Sequence, residues 1–192
     1  MKKFSLLSLT LVFVLLCNIA MADVISFSNK APEKVPYNNG IPGIPDPNVI
    51  LQGGDDIASA TAIPSIPYSN TGTTVGYADT YNEVCPYTST GGLDVVYSFV
   101  CTDDILVNVT LCANSTFDTK AYVYENAVGN VVGCNDDACS TPSYPSAYVS
   151  NIPAVQLYSG NTYYFVVDGY SSFDYGDYTI DTNRQILILA IT

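Results

Sequence analysis

The stretch that most constrains this chain is Gly160-Asn161-Thr162-Tyr163-Tyr164-Phe165-Val166-Val167-Asp168-Gly169. Tyr163 to Val167 is aromatic and β-branched without a break, the composition of a strand covered on both faces. Gly160-Asn161 opens it and Asp168-Gly169 closes it with turn chemistry. Gly176-Asp177-Tyr178-Thr179-Ile180 follows as a second short strand. The two read as the closing antiparallel pair of a β-sandwich.

The rest of the chain agrees. Ile105, Val107, Val109 and Leu111 fall on one face of a strand, with Asn108 and Thr110 on the other. Leu93 to Val100 is a strong strand. Asp118 to Glu125 is another, with Ala121 and Val123 inward and Lys120, Tyr122 and Tyr124 outward. Thr71 to Tyr77, Val131-Val132 and Ala147 to Leu157 are weaker, the last broken near Pro153. Pro64 and Pro67 make the segment before Tyr68 an edge strand at most. No helical period competes, and about eight or nine short strands predict an all-β antiparallel sandwich or jelly roll.

Met1-Lys2-Lys3, the apolar run from Phe4 to Ile19 and Ala20-Met21-Ala22 have the form of a signal peptide, residues 1–22, cut before Asp23. The mature chain is then secreted, periplasmic or held at the cell surface. Pro32, Pro36, Pro42, Pro45 and Pro47 mark residues 23–52 as a Pro/Gly-rich linker. The sandwich takes residues 53–181, and residues 182–192 are a tail. Ile186 to Ile191 is apolar but too short to span a bilayer, so no membrane span is expected in the mature chain.

A net charge of −12 argues against nucleic acid as a partner. It suits self-repelling solubility or divalent-cation binding. Histidine is absent, which excludes the Ser-His-Asp triad, the Cys-His pair and His-ligated zinc. No nucleophile-base pair can be placed, and the chain is expected not to be an enzyme.

Asp118 opens a strand, and Asn135, Asp136 and Asp137 form a loop after the chain has run out and back. If the two strands are antiparallel neighbours, these residues converge at one end of the sandwich. Three carboxylates and an amide carbonyl there form an oxygen set suited to calcium. The competing reading is that Asn and Asp merely cap turns. Sixteen tyrosines supply strand residues and a stacking surface, with Tyr122, Tyr124, Tyr144, Tyr170 and Tyr175 as outward candidates.

Five cysteines follow the signal segment, Cys85, Cys101, Cys112, Cys134 and Cys139. Export favours disulfides, and an odd number leaves one thiol over. Cys134 and Cys139 flank a short loop and are the easiest pair to close. Cys101 with Cys112 is a second candidate, Cys112 with Cys134 its rival, and Cys85 the expected orphan.

A set of motifs in order carries a family resemblance. Gly54-Asp55-Asp56 with Ala58 and Ala60 comes first, then Asp94-Val95-Val96-Tyr97-Ser98-Phe99. Phe117-Asp118-Thr119 leads into Tyr122-Val123-Tyr124, and Cys134-Asn135-Asp136-Asp137 follows. Gly160-Asn161-Thr162-Tyr163-Tyr164, Val167-Asp168-Gly169-Tyr170 and Gly176-Asp177-Tyr178-Thr179 complete the set. Over roughly Gly53 to Asp181 the chain resembles the bacterial pre-peptidase C-terminal domain family, whose wider circle includes clostridial collagen-binding domains. The resemblance implies a non-catalytic jelly-roll module of secreted proteins. It also implies calcium near the entry segment, which makes Asp55 and Asp56 a second metal candidate. The expected partner is an extracellular polymer or a surface protein. The alternatives are a structural, self-associating envelope protein and an accessory domain of a secreted hydrolase system.

Overall fold

The computed structural model describes residues 52–85 and 87–185. The signal-peptide reading, the linker up to residue 51 and the tail beyond residue 185 lie outside the described residues.

Nine strands and no helix are found there: β1 (Thr61–Ala62), β2 (Tyr68–Thr73), β3 (Val95–Val100), β4 (Ile105–Thr110), β5 (Thr119–Glu125), β6 (Val131–Asn135), β7 (Asn151–Leu157), β8 (Thr162–Gly169) and β9 (Asp177–Gln185). They form two sheets in a sandwich-like arrangement, ordered β1-β3-β8-β5-β6 and β2-β9-β4-β7. Every pairing is antiparallel except the two-residue β1, which runs parallel to β3. The closing strands β8 and β9 do not pair with each other. β8 lies between β3 and β5, and β9 between β2 and β4. Asp103-Asp104 likewise carries the chain from one sheet to the other. β9 continues past residue 181 to Gln185, which faces Leu106 of β4.

The alternation of β4 holds. Ile105, Val107 and Val109 are buried, and the residues between them are half-buried. They meet Val95, Tyr97 and Phe99 of β3, Ala121 and Val123 of β5, and Tyr163, Phe165 and Val167 of β8 in the main core. Two tyrosines rivet the sheets inside it. The Tyr97 and Tyr178 hydroxyls lie 2.7 Å apart, and Tyr178 donates to the Gln52 carbonyl at 3.1 Å. Pro153 sits on edge strand β7, where the register with β4 shifts between Val107 and Val109. A residue that cannot donate is tolerated at such a bulge.

A second core covers the outer face of the first sheet. Tyr81, Val96, Tyr122, Tyr124 and Val166 are buried together there. Tyr122 and Tyr124 do point away from the main core, as the period-2 pattern requires. They are nonetheless 1% and 0% exposed, because the Asp79–Gly92 loop lies over them. They are therefore not part of a binding face.

That loop is fastened at many points. Asp94 Oδ2 accepts from the Thr80 and Tyr81 amides at 2.6 and 2.7 Å. Tyr124 donates to Glu83 Oε1 at 2.8 Å, and Asp168 Oδ1 accepts from the Gly92 amide at 2.8 Å. Cys85 of the loop is bonded to Cys134 of β6.

The cysteine pairing corrects the expectation. The disulfides are Cys85–Cys134 and Cys112–Cys139, and Cys101 is the buried free thiol. Cys134 faces Tyr122 across the β5–β6 ladder, so its side chain points to the outer face, where Cys85 arrives. Cys139 instead bridges to Val149, close to Cys112 beyond the end of β4. Short sequence separation did not decide the partner; strand facing did. Cys101 and Cys112 flank opposite ends of β4, roughly 20 Å of strand apart, beyond any disulfide's reach.

Candidate metal centre

Three chain segments meet at one end of the first sheet because of strand register. In the β5–β6 pair Ala121 lies opposite Asn135, so Asp118 before β5 adjoins Asp136 and Asp137 after β6. In the β5–β8 pair Thr119 lies opposite Gly169, so the loop after β8 reaches the same place. The Tyr170 amide donates to the Asp118 carbonyl at 3.1 Å and fixes that junction. The Asp174 carbonyl fills the space a side chain at residue 169 would need, so Gly169 permits the loop to close there.

One carboxylate oxygen each from Asp118, Asp136 and Asp137 lies within 4.8 Å of the others. Oxygens bound about 2.4 Å from one calcium ion have separations of this size. Asp136 is 1% exposed, and neither of its carboxylate oxygens has a hydrogen-bond partner; Asp118 Oδ1 is buried and unpartnered as well. Buried carboxylates are ordinarily satisfied, because leaving one unpaired carries a desolvation penalty of about 1–3 kcal/mol or more. Burial, then the charges of Asp174, Asp136 and Asp137, push the Asp118 carboxyl up to about 7. Burial and then Asp137 push Asp136 up to about 6, with Lys120 opposing. The donor set is all oxygen, which favours a hard cation over zinc or copper. Loop-borne ligands favour calcium over the stricter octahedron of magnesium.

The other predicted ligands are placed differently. Asn135 turns its Oδ1 to the Asn151 amide at 2.8 Å, so its amide oxygen is committed to β7. Asp55 Oδ1 accepts from the Ala78 amide at 2.6 Å. Asp56 Oδ1 accepts from the Ser59 amide at 2.8 Å and the Ser59 hydroxyl at 2.7 Å, which holds its carboxyl below the usual range. Asp56 thus caps its own turn, while Asp55 and Asn135 tie together segments distant in the chain. Among the described residues Asp118, Asp136 and Asp137 are the only acidic cluster of metal-binding spacing.

Asp174 is the neighbour that sequence reasoning left out of the set. Its Oδ2 accepts from the Ser171 amide at 3.1 Å, and its charge acts on both Asp118 and Asp136. The β8 register supplied the missing signal. Of the remaining tyrosine candidates, Tyr144 is half-buried against the core and within electrostatic reach of Asp118. Tyr170 and Tyr175, also half-buried, flank the Asp174 loop. Tyr148 and Phe173 are 48% and 88% exposed at the same end, and the sequence pattern had not singled them out.

A separate buried carboxyl pair lies under the covering loop. Asp94 and Asp168 are both 0% exposed, with the Tyr122 hydroxyl 3.4 Å from Asp94 Oδ1 and 3.3 Å from Asp168 Oδ2. Burial first, then Asp168, pushes Asp94 well above the carboxylate range. Asp168 is raised by burial and held back by the Gly92 amide and Lys120. The pair is sealed beneath the loop, where it ties strands to cover.

No family model matches the chain, and neither does any curated protein. The two disulfides suit an oxidising compartment. Among the described residues no helix is long and apolar enough to cross a membrane.

Proposed function

We propose that the protein is an exported, non-catalytic binding module that holds calcium at one end of its sandwich. The loops around the ion present that end to an extracellular polymer or a surface protein. The observation that carries this reading is the pair of unpartnered, buried oxygens of Asp136, set among the carboxylates of Asp118 and Asp137. A cation satisfies those oxygens and offsets the burial, and then the mutual repulsion, that raise both carboxyls. Tyr144, Tyr148, Tyr170 and Phe173 surround the cluster with stacking surface. The resemblance to pre-peptidase C-terminal domains points to the same accessory, non-catalytic role. The absence of histidine from the sequence supports it.

Thermal unfolding with calcium and with a chelator tests the site. Calcium that binds only the native state raises the midpoint once it exceeds its dissociation constant. An unchanged midpoint at millimolar calcium, or an equal rise in an Asp118→Ala, Asp136→Ala double variant, overturns the assignment. Retention on glycan and collagen resins, with and without calcium, tests the partner.

A further inference from the structure

We propose that Lys120 and Asn82 are joined by an intramolecular isopeptide bond that forms inside the folded domain. The six basic residues of the chain are Lys2, Lys3, Lys30, Lys34, Lys120 and Arg184. Lys120 is thus one of two cations in the described residues, and its side chain is 0% exposed. A strongly acidic protein would gain most from a lysine on its surface, yet this one is placed inside.

The surroundings of its amine are those of an acyl-transfer site. Lys120 Nζ donates to Asn82 Oδ1 at 2.8 Å and to Ser89 Oγ at 2.9 Å. The Asn82 amide is itself held, its Nδ2 donating to the Ser89 carbonyl at 2.8 Å. An amine hydrogen-bonded to an amide oxygen stands near the carbonyl carbon, close to the about 3–3.5 Å of a near-attack pair. Asp168 Oδ2 lies 3.7 Å from the amine, and Asp168 is also 0% exposed. Fixed geometry and a buried carboxylate beside a buried amine are what an uncatalysed amine and amide lack in solution.

The step balances without an oxidant or cofactor. Asp168 takes one proton from the Lys120 ammonium, and the free amine adds to Asn82 Cγ. A second proton passes from the attacking nitrogen to Nδ2. The Cγ–Nδ2 bond breaks, the Nζ–Cγ amide remains, and ammonia leaves with the first proton as ammonium. Asn82 is exposed on its outer flank, which gives ammonia an exit. The bond fastens the Asp79–Gly92 cover to β5 covalently, alongside the Cys85–Cys134 disulfide.

The exported full-length protein, reduced and denatured so that disulfides do not contribute, is weighed intact and digested with trypsin. The expected mass is one ammonia below that of the processed chain. Cleavage after Lys120 is expected to be blocked, leaving one tryptic peptide of residues 35–184, because no basic residue lies between Lys34 and Lys120. Fragmentation is expected to show an internal loop closed between Asn82 and Lys120. Lys120→Arg and Asn82→Ala variants recover the full mass. A full mass with ordinary cleavage after Lys120 in the wild type overturns the proposal, whether or not the variants fold. An ammonia loss that persists in Lys120→Arg overturns it too.

Discussion

Cys85 and Cys134 are bonded across 49 residues of chain, and the bridge lies directly over the outer face of β5. It crosses the Cys112–Cys139 bridge in sequence, so the two closed loops overlap. The first bridge holds a cover in place, and the second fixes the loop that carries Asp136 and Asp137.

We predict that a Cys85→Ser, Cys134→Ser variant loses about 4 kcal/mol of stability, the chain-entropy value for a loop of that length. Urea unfolding measures it. Limited proteolysis should first cut between Asp79 and Gly92. An unchanged urea midpoint would show that the remaining contacts hold the cover alone.

Tyr122→Ala is predicted to cost about 3–5 kcal/mol, as expected for truncating a fully buried aromatic residue. Tyr122→Phe should cost about 1–2 kcal/mol through its hydroxyl contacts with Asp94 and Asp168. A surface tyrosine would show neither effect, so near-neutral values would refute the burial described above.

The sequence made the sandwich legible wherever one residue's facing implied its neighbour's, as in Ile105, Val107 and Val109. It also brought Asp118 to Asp136, because antiparallel return is a local inference. Tyr122 and Tyr124 show where that reasoning stops. Alternation tells which face a side chain takes, and nothing local tells what covers that face. The cover comes from residues about thirty to forty positions away, through non-local pairings that only the fold specifies. Cys134 misled for the same reason, its partner being set by facing rather than by proximity in the chain. Asn135 had the right position but a rival acceptor role, toward the Asn151 amide.

Asp136→Asn should have opposite effects with and without metal. In chelator it removes a buried charge repelled by Asp137, and is predicted to stabilise on the order of 1–2 kcal/mol. In calcium it forfeits binding energy, about 2.7 kcal/mol at a hundredfold excess over the dissociation constant. Melting curves in the two buffers check this, and a variant below wild type in chelator would contradict the orphaned-carboxylate argument.

Asp94 makes stability depend on pH. Its carboxyl is raised by burial and by Asp168, with Asp79 adding and the Thr80 and Tyr81 amides opposing; the Tyr122 hydroxyl also faces it, and Lys120 faces Asp168. The folded protein therefore holds a proton that the unfolded chain releases. This contribution is complete below the unfolded carboxylate pKa, about 3.9, and is lost as pH rises through the higher folded value. We predict that unfolding free energy declines from mildly acidic to alkaline pH by at most about 1.4 kcal/mol per pH unit from this group. Asp94→Asn, which imitates the protonated form, should flatten the decline in urea titrations across that range. An identical slope in the variant would assign the effect elsewhere.

With Lys120 inside, Arg184 is the only cation on the surface of the described residues. The field around this region is therefore negative almost without interruption. Small cations are concentrated close to it, and their capture at the Asp118 end should be fast at low ionic strength and slow as salt screens the field. The same field turns away sulfated or uronic-acid polymers. A polymer that docks here is therefore predicted to be neutral or amine-bearing, and resin retention of a polyanion at low salt would contradict that.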